Sequence, residues 1–125
     1  EDSLLPAIYL TQKLDISVVG IGYPNEKSAI MATGYFKENE IESLIDRKVA
    51  GELCMQFYDI YGDTAPYKDD NNVIGMDISM LRSVPRSIGI AGGVEKLRAV
   101  RGAINGHYIN TLITDIECAE ALISE

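Results

Sequence analysis

Apolar positions recur along this chain in two rhythms, one of helices and one of strands. Leu4, Ile8 and Leu14, with Ala7 and Leu10, form a helical stripe over residues 4–14, and Pro6 fits only the first turn of such a helix. The rhythm then changes. Asp15-Ile16-Ser17-Val18-Val19-Gly20-Ile21-Gly22 is a short β-branched run ending in glycine, the pattern of a buried parallel strand before a tight turn. Tyr23 to Lys27 is polar and reads as loop. From Glu38 to Lys48, the residues Ile41, Leu44 and Ile45 return at helical spacing. Acidic residues come early there and Arg47-Lys48 close it, the order that the helix dipole favours.

Leu53 to Tyr61 is rich in aromatic and apolar residues and reads as a strand, turned by Gly62-Asp63 and followed by a polar loop from Pro66 to Asn72. Val73-Ile74-Gly75-Met76 reads as another short strand. Ile78, Leu81 and Val84 predict a brief helix that Pro85 stops. Ser87 to Ala91 is a strand, with Gly92-Gly93 as the turn after it. Val94, Leu97, Val100 and Ile104 mark a helix ending near Gly106, and Tyr108 to Ile113 is the last strand. Thr114 and Glu117 have capping-box spacing, and the final helix carries Ile116, Ala119, Leu122 and Ile123 on one face. Strands and helices thus alternate, with a hairpin-like excursion over residues 53–76. This alternation predicts an α/β fold, a largely parallel sheet covered by helices on both faces, in one domain spanning 1–125.

Composition narrows the partners. The 125 residues are 46% apolar and 24% charged, which suits one globular core. A net charge of −8, with no basic run longer than Arg47-Lys48, gives no electrostatic footprint for nucleic acid. The longest apolar runs fall far short of the roughly 20 residues that span a bilayer. No basic segment leads into an apolar one at the start, so the expected location is the cytoplasm. The first residue is Glu1, within a helical pattern, which reads as a trimmed product. Cys54 and Cys118 fit no zinc or redox spacing, and both read as reduced core residues, Cys54 among Leu53, Met55 and Phe57.

Ligands of open parallel sheets bind at the carboxyl ends of the strands. Two glycine turns fall there, Gly20-Ile21-Gly22 and Gly92-Gly93-Val94-Glu95-Lys96. The second opens a helix whose free N–H groups suit phosphate. Lys96 stands in its first turn, where a cation opposes the dipole unless an anion is expected. An ordinary strand–helix turn with a surface lysine has the same sequence. Glu52, after Gly51, is either an acceptor for sugar hydroxyls or a solvated loop residue. His107, the single histidine, follows a helix-ending glycine without an accompanying base or nucleophile. Asp69-Asp70 and Asp59/Asp63 lack further ligands for a metal, and no cofactor is expected.

The motifs Val18-Val-Gly-Ile-Gly22, Gly34-Tyr-Phe, Gly51-Glu52, Val73-Ile-Gly-Met, Leu81-x-x-Val-Pro85, Ile90-Ala-Gly-Gly-x-x-Lys96 and Ile109-Asn-x-Leu-Ile-Thr-Asp115 occur in that order. In this order, over roughly residues 14–123, the chain resembles the C-terminal half of the effector-binding domain of SorC-type sugar-responsive bacterial transcription regulators. That family includes the central glycolytic gene regulator and the deoxyribonucleoside regulator. The resemblance implies a Rossmann-like three-layer α/β/α sandwich, similar to ribose-5-phosphate isomerase and glucosamine-6-phosphate deaminase. It implies a sensor for a phosphorylated sugar, a homo-oligomer, and DNA contact only through an N-terminal helix-turn-helix domain absent here. A phosphate loop of the Gly-Gly-Thr-Thr type would belong to the missing first half. The effector residues it implies are Lys96 on phosphate and Glu52 on a hydroxyl, with Gly92, Gly93, Gly20, Gly22 and Thr33 around them. Thr33 stands where the bisphosphate-binding relative has arginine, so a second phosphate loses its charged partner. The rival reading is an isomerase or deaminase on the same fold. Against it, Gly20-Ile-Gly22 is followed by Tyr23-Pro24-Asn25 and no Asp-Gly-His sequence.

Overall fold

The computed structural model describes residues 2–25, 27–71 and 76–124. In chain order its elements are α1 (Leu5–Thr11), β1 (Ile16–Gly20), α2 (Ala29–Ala32), α3 (Glu38–Asp46), β2 (Gly51–Leu53) and β3 (Gln56–Tyr58). Then come β4 (Arg86–Ile90), α4 (Leu97–Asn105), β5 (Thr111–Ile113) and α5 (Ile116–Ile123), with 3-10 turns between several of them. The fold is mixed α/β. β1, β4 and β5 form a parallel sheet in the order β1-β4-β5, with Val18 opposite Ile88 and Ile88 opposite Thr111. β2 and β3 form a separate antiparallel hairpin.

Two apolar clusters hold the chain. The first lies on one face of the sheet and includes Ile21, Leu53, Tyr58, Leu81, Val100 and Ile109. The second joins α3 to the hairpin through Phe36, Ile41, Leu44, Val49, Phe57 and Tyr67. Phe57 meets Phe36 and Tyr67 edge-on, with ring centroids 5.4 and 6.5 Å apart. Successive residues of a strand point to opposite sides. Phe57 therefore enters one cluster and Tyr58 the other, and β3 ties the two together. Arg47, at the end of α3, anchors the loop beyond the hairpin. It forks onto Asp70 at 2.6 and 3.1 Å and donates to the Pro66 carbonyl at 2.9 Å.

Several expectations change. The strand expected over Leu53 to Tyr61 is a hairpin, because Cys54 and Met55 take φ values of 51° and 66°. Two successive left-handed residues make the two-residue turn whose twist suits a hairpin. Cys54 is consequently exposed instead of buried, whereas Cys118 is buried, and both thiols are free. The stripe of α1 is not buried: Leu4, Ile8 and Leu10 are exposed. On α5 the buried residue is Cys118, while Ile116 and Ile123 face outward. Asp115, and not Thr114, caps that helix by accepting the Cys118 N–H at 2.8 Å. The last strand is confined to Thr111–Ile113, since Tyr108 and Ile109 enter the core before it begins. α2 was not foreseen; Ser28 caps it by accepting the Met31 N–H. Of the expected strand Val73 to Met76, all but Met76 lies outside the described residues.

Candidate functional site

A cleft of about 380 Å³ opens where the chain leaves the carboxyl ends of β1 and β4. Its walls include Gly22, Asn25, Ser28, Glu52 and Lys96. Beyond β1 the chain pairs with the hairpin: the Gly22 N–H donates to the Glu52 carbonyl at 3.0 Å, and the Glu52 N–H returns to the Gly22 carbonyl at 2.8 Å. This bridge brings the strand-end loop against β2. A side chain at position 22 would collide with the Glu52 carboxylate, so glycine is needed for the carboxylate to fold over the backbone.

Glu52 is half-buried, and its Oε2 accepts the Met55 N–H at 3.0 Å. Burial pushes its carboxyl above the ordinary value, and the Met55 N–H and the Lys96 charge oppose that rise. Lys96 reaches the cleft from the turn between β4 and α4. Gly93, at φ 96°, opens a 3-10 turn over Val94–Lys96, and Lys96 heads α4. Its backbone N–H donates to the Gly93 carbonyl at 3.1 Å. Among the described residues its ammonium makes no hydrogen bond and no ion pair within 4 Å. Cleft charges are mixed: Glu52 and Glu95 against Lys27 and Lys96.

Of the residues singled out from the sequence, Gly22, Glu52 and Lys96 meet in this cleft. Gly20, Gly92, Gly93 and Thr33 do not line it. The Gly93 N–H is already taken by Asp115 Oδ2 at 2.5 Å, so this turn does not offer that donor to an anion. Those two backbone bonds, from Cys118 and Gly93, hold the Asp115 carboxyl below its ordinary value. Thr33 is exposed at the end of α2, its hydroxyl donating to the Ile30 carbonyl at 2.6 Å. Asn25 and Lys27 fall in the stretch Tyr23 to Lys27 that reads as loop, and Ser28 follows it. Their signal was position, since they follow a glycine at the carboxyl end of a parallel strand.

His107 sits beyond the far end of α4 from Lys96, with the whole nine-residue helix, about 14 Å long, between them. Asp59 uses its carboxylate on the N–H groups of Tyr61 and Asp63, each at 2.9 Å. No cluster of three or more metal-ligating side chains occurs among the described residues. A neighbouring groove of about 350 Å³ shares Asn25 and Lys27 but runs over the apolar Met31, Ile41 and Ile45.

Comparison with known proteins gives a consistent result. The family model described as "Putative sugar-binding domain" matches residues 1–124. The sorbitol operon regulator of Klebsiella pneumoniae is 37% identical over 110 residues, covering 88% of this chain and 35% of that protein. Its full-length crystal structure superposes with a TM-score of 0.86, over 98% of this chain and 40% of that one. The deoxyribonucleoside regulator of Bacillus subtilis (strain 168) is 30% identical over 118 residues, covering 94% of this chain and 37% of that protein. A sugar-binding domain of a transcriptional repressor from Vibrio fischeri, solved by itself, gives a TM-score of 0.82 at 26% identity. It covers 99% of this chain, and this chain covers 50% of that domain. The chain thus spans little more than a third of the length of these curated relatives.

Proposed function

The chain belongs to the sugar-binding domain family of SorC-type transcription regulators, and from that premise we propose that it senses a phosphorylated sugar in the Gly22–Glu52–Lys96 cleft without transforming it. One observation carries this reading. A cation from the head of α4 and a carboxylate from β2 line the same cleft, yet they form no direct ion pair with each other. Lys96 keeps its three donors for a phosphate, and Glu52 keeps one oxygen for a sugar hydroxyl. The cleft is of a size that takes a small ligand. Gly93 serves this site by turning the backbone so that Lys96 heads α4.

Moving a proton between adjacent carbons takes a positioned acid/base pair. His107 lies at the opposite end of α4 and gives Glu52 no such partner. In this reading the effector carries one phosphate or binds a second one weakly, because the neutral Thr33 stands outside the cleft and adds no charged fork to it. In the whole regulator, a cytoplasmic homo-oligomer in this reading, DNA is contacted through a separate N-terminal domain.

The test is calorimetry with sugar monophosphates and bisphosphates, with circular dichroism as the control for folding. Lys96→Ala should weaken the best monophosphate roughly 10- to 100-fold, the loss of a charge-assisted hydrogen bond. Glu52→Gln should lower both affinity and discrimination among sugars. Two folded variants that bind as tightly as wild type would show that the site lies elsewhere.

A further inference from the structure

Lys96 is aimed by a turn that has almost no side chains of its own to hold it. Gly92 and Gly93 lead out of β4, and Gly93 sits at φ 96°. Glycine gives up more conformational freedom on folding than any other residue, so this turn needs ties from elsewhere. The Lys96 N–H donates to the Gly93 carbonyl at 3.1 Å, and the Gly93 N–H donates to Asp115 Oδ2 at 2.5 Å. Two hydrogen bonds in series thus connect Asp115 to Lys96 through one glycine. Asp115 arrives there by way of the sheet. The Ala91 N–H donates to the Ile113 carbonyl at 3.1 Å, and two residues further on in each segment Gly93 meets Asp115. The carboxylate also lies over Gly92, where a Cβ would stand 3.3 Å from Oδ2. Its other oxygen, Oδ1, accepts the Cys118 N–H at 2.8 Å and caps α5. Capping needs only one oxygen, and Ser, Thr or Asn would serve it as well. The second oxygen is committed to the effector turn.

We propose that Asp115 is a positioning residue for effector binding: by holding the Gly93 peptide it sets the direction from which Lys96 meets the phosphate. It does not touch the ligand, since it lies outside the cleft wall. A carboxylate near a phosphate site is unfavourable on charge alone, so its benefit has to come through geometry. Both of its oxygens are taken by backbone N–H groups, which hold its carboxyl below the ordinary value and offset part of that charge. A lysine ammonium binds phosphate as a point charge on a flexible stem, so its contribution depends on where the backbone starts it. The inference rests on the Gly22–Glu52–Lys96 cleft as the effector site, and adds the residue that orients Lys96.

The test is calorimetry of the whole regulator with a panel of pentose and hexose monophosphates as probes. Asp115→Asn and Asp115→Ser each keep an oxygen for the Cys118 N–H and leave none for Gly93. Both variants should retain the helix content of wild type in circular dichroism. Each should weaken the tightest-binding monophosphate about 10-fold, the scale on which a supporting residue acts through the group it orients. In a Lys96→Ala background the same substitutions should cost less than about 2-fold, because the side chain they orient is gone. If the Asp115 variants bind as tightly as wild type while Lys96→Ala is weakened, the positioning role is wrong and the cleft stands. If they weaken binding equally in both backgrounds, Asp115 supports the fold without acting through Lys96, and the proposal falls. If no monophosphate binds wild type, or Lys96→Ala binds as tightly, the cleft reading falls and this one with it.

Discussion

Ser17, Ser87 and Gly89 lie on one side of the three-stranded sheet, and Val18, Ile88 and Ile90 on the other, each set alternating with its opposite along the same two strands. The smaller, more polar set is the buried one. Its burial depends on close approach more than on oiliness: Ile21 and Ile109 press so near Gly89 that a Cβ there would stand 2.9 Å from both. Polarity on this side is satisfied internally. Ser17 donates to the Ser87 hydroxyl at 3.0 Å, and Ser87 donates to the Tyr108 carbonyl at 2.6 Å. The aliphatic set meets nothing comparable. Residue hydrophobicity therefore reports which surfaces need a partner, while packing decides which of them already have one.

The sharpest way to break this contrast is to enlarge one residue on each face. Gly89→Val places a branched side chain against Ile21 and Ile109, in a space that does not admit even a methyl group without movement. Overpacking of this kind should cost about 3 kcal/mol in urea unfolding. Ile90→Thr, its neighbour on the outer face, should change the stability of the chain by less than about 0.5 kcal/mol. Comparable losses at both positions would mean that the two faces are equally packed.

A smaller effect is expected at the serine pair. Ser87→Ala takes the acceptor from Ser17 and a donor from the Tyr108 carbonyl, both in the buried interior. The cost should be about 1–3 kcal/mol, the penalty for buried polar groups left without partners. The double substitution Ser17→Ala with Ser87→Ala should cost less than the sum of the two single ones, because the shared bond is then lost only once. Strict additivity in a double-mutant cycle would show that the hydroxyl contact contributes nothing.

Much of this was legible beforehand, and the gaps have physical causes. β-branched runs ending in glycine located β1 and β4, and Val100 with Gly106 located α4, because period and punctuation are local properties. Which side of an element is buried depends on distant neighbours. On α1 and α5 the period is kept while Leu4, Ile8, Leu10, Ile116 and Ile123 stay exposed, and Leu122 packs against the core. The hairpin at Cys54-Met55 escaped because its turn lacks the Asn-Gly or Asp-Gly pair that such turns favour. Glu52 and Lys96, which meet in the cleft, stood out beside glycine turns but read equally as a solvated residue and a surface lysine, whereas the polar loop through Asn25 offered composition without a motif. Gly92-Gly93 looked like a donor for an anion, but Asp115, 22 residues further on, accepts its N–H.

The smallest expected effect lies at the carboxyl edge of the sheet, where Glu52 is half-buried over Gly22. Burial raises its carboxyl above the ordinary value of 4.5, so the folded chain holds this proton more tightly than the unfolded chain. That contribution to stability is complete below the unfolded value and is lost as pH rises through the folded one. Glu52→Gln removes the titration but keeps an oxygen able to accept the Met55 N–H. The variant should match wild type at about pH 4 and become the more stable of the two toward pH 7. The gain should be within about 0.5 kcal/mol, the range of substitutions that open no cavity. Urea unfolding at both ends of this range measures it. A gap that narrows with rising pH would show that the Lys96 charge and the Met55 N–H outweigh burial, and that Glu52 favours the folded state as an anion.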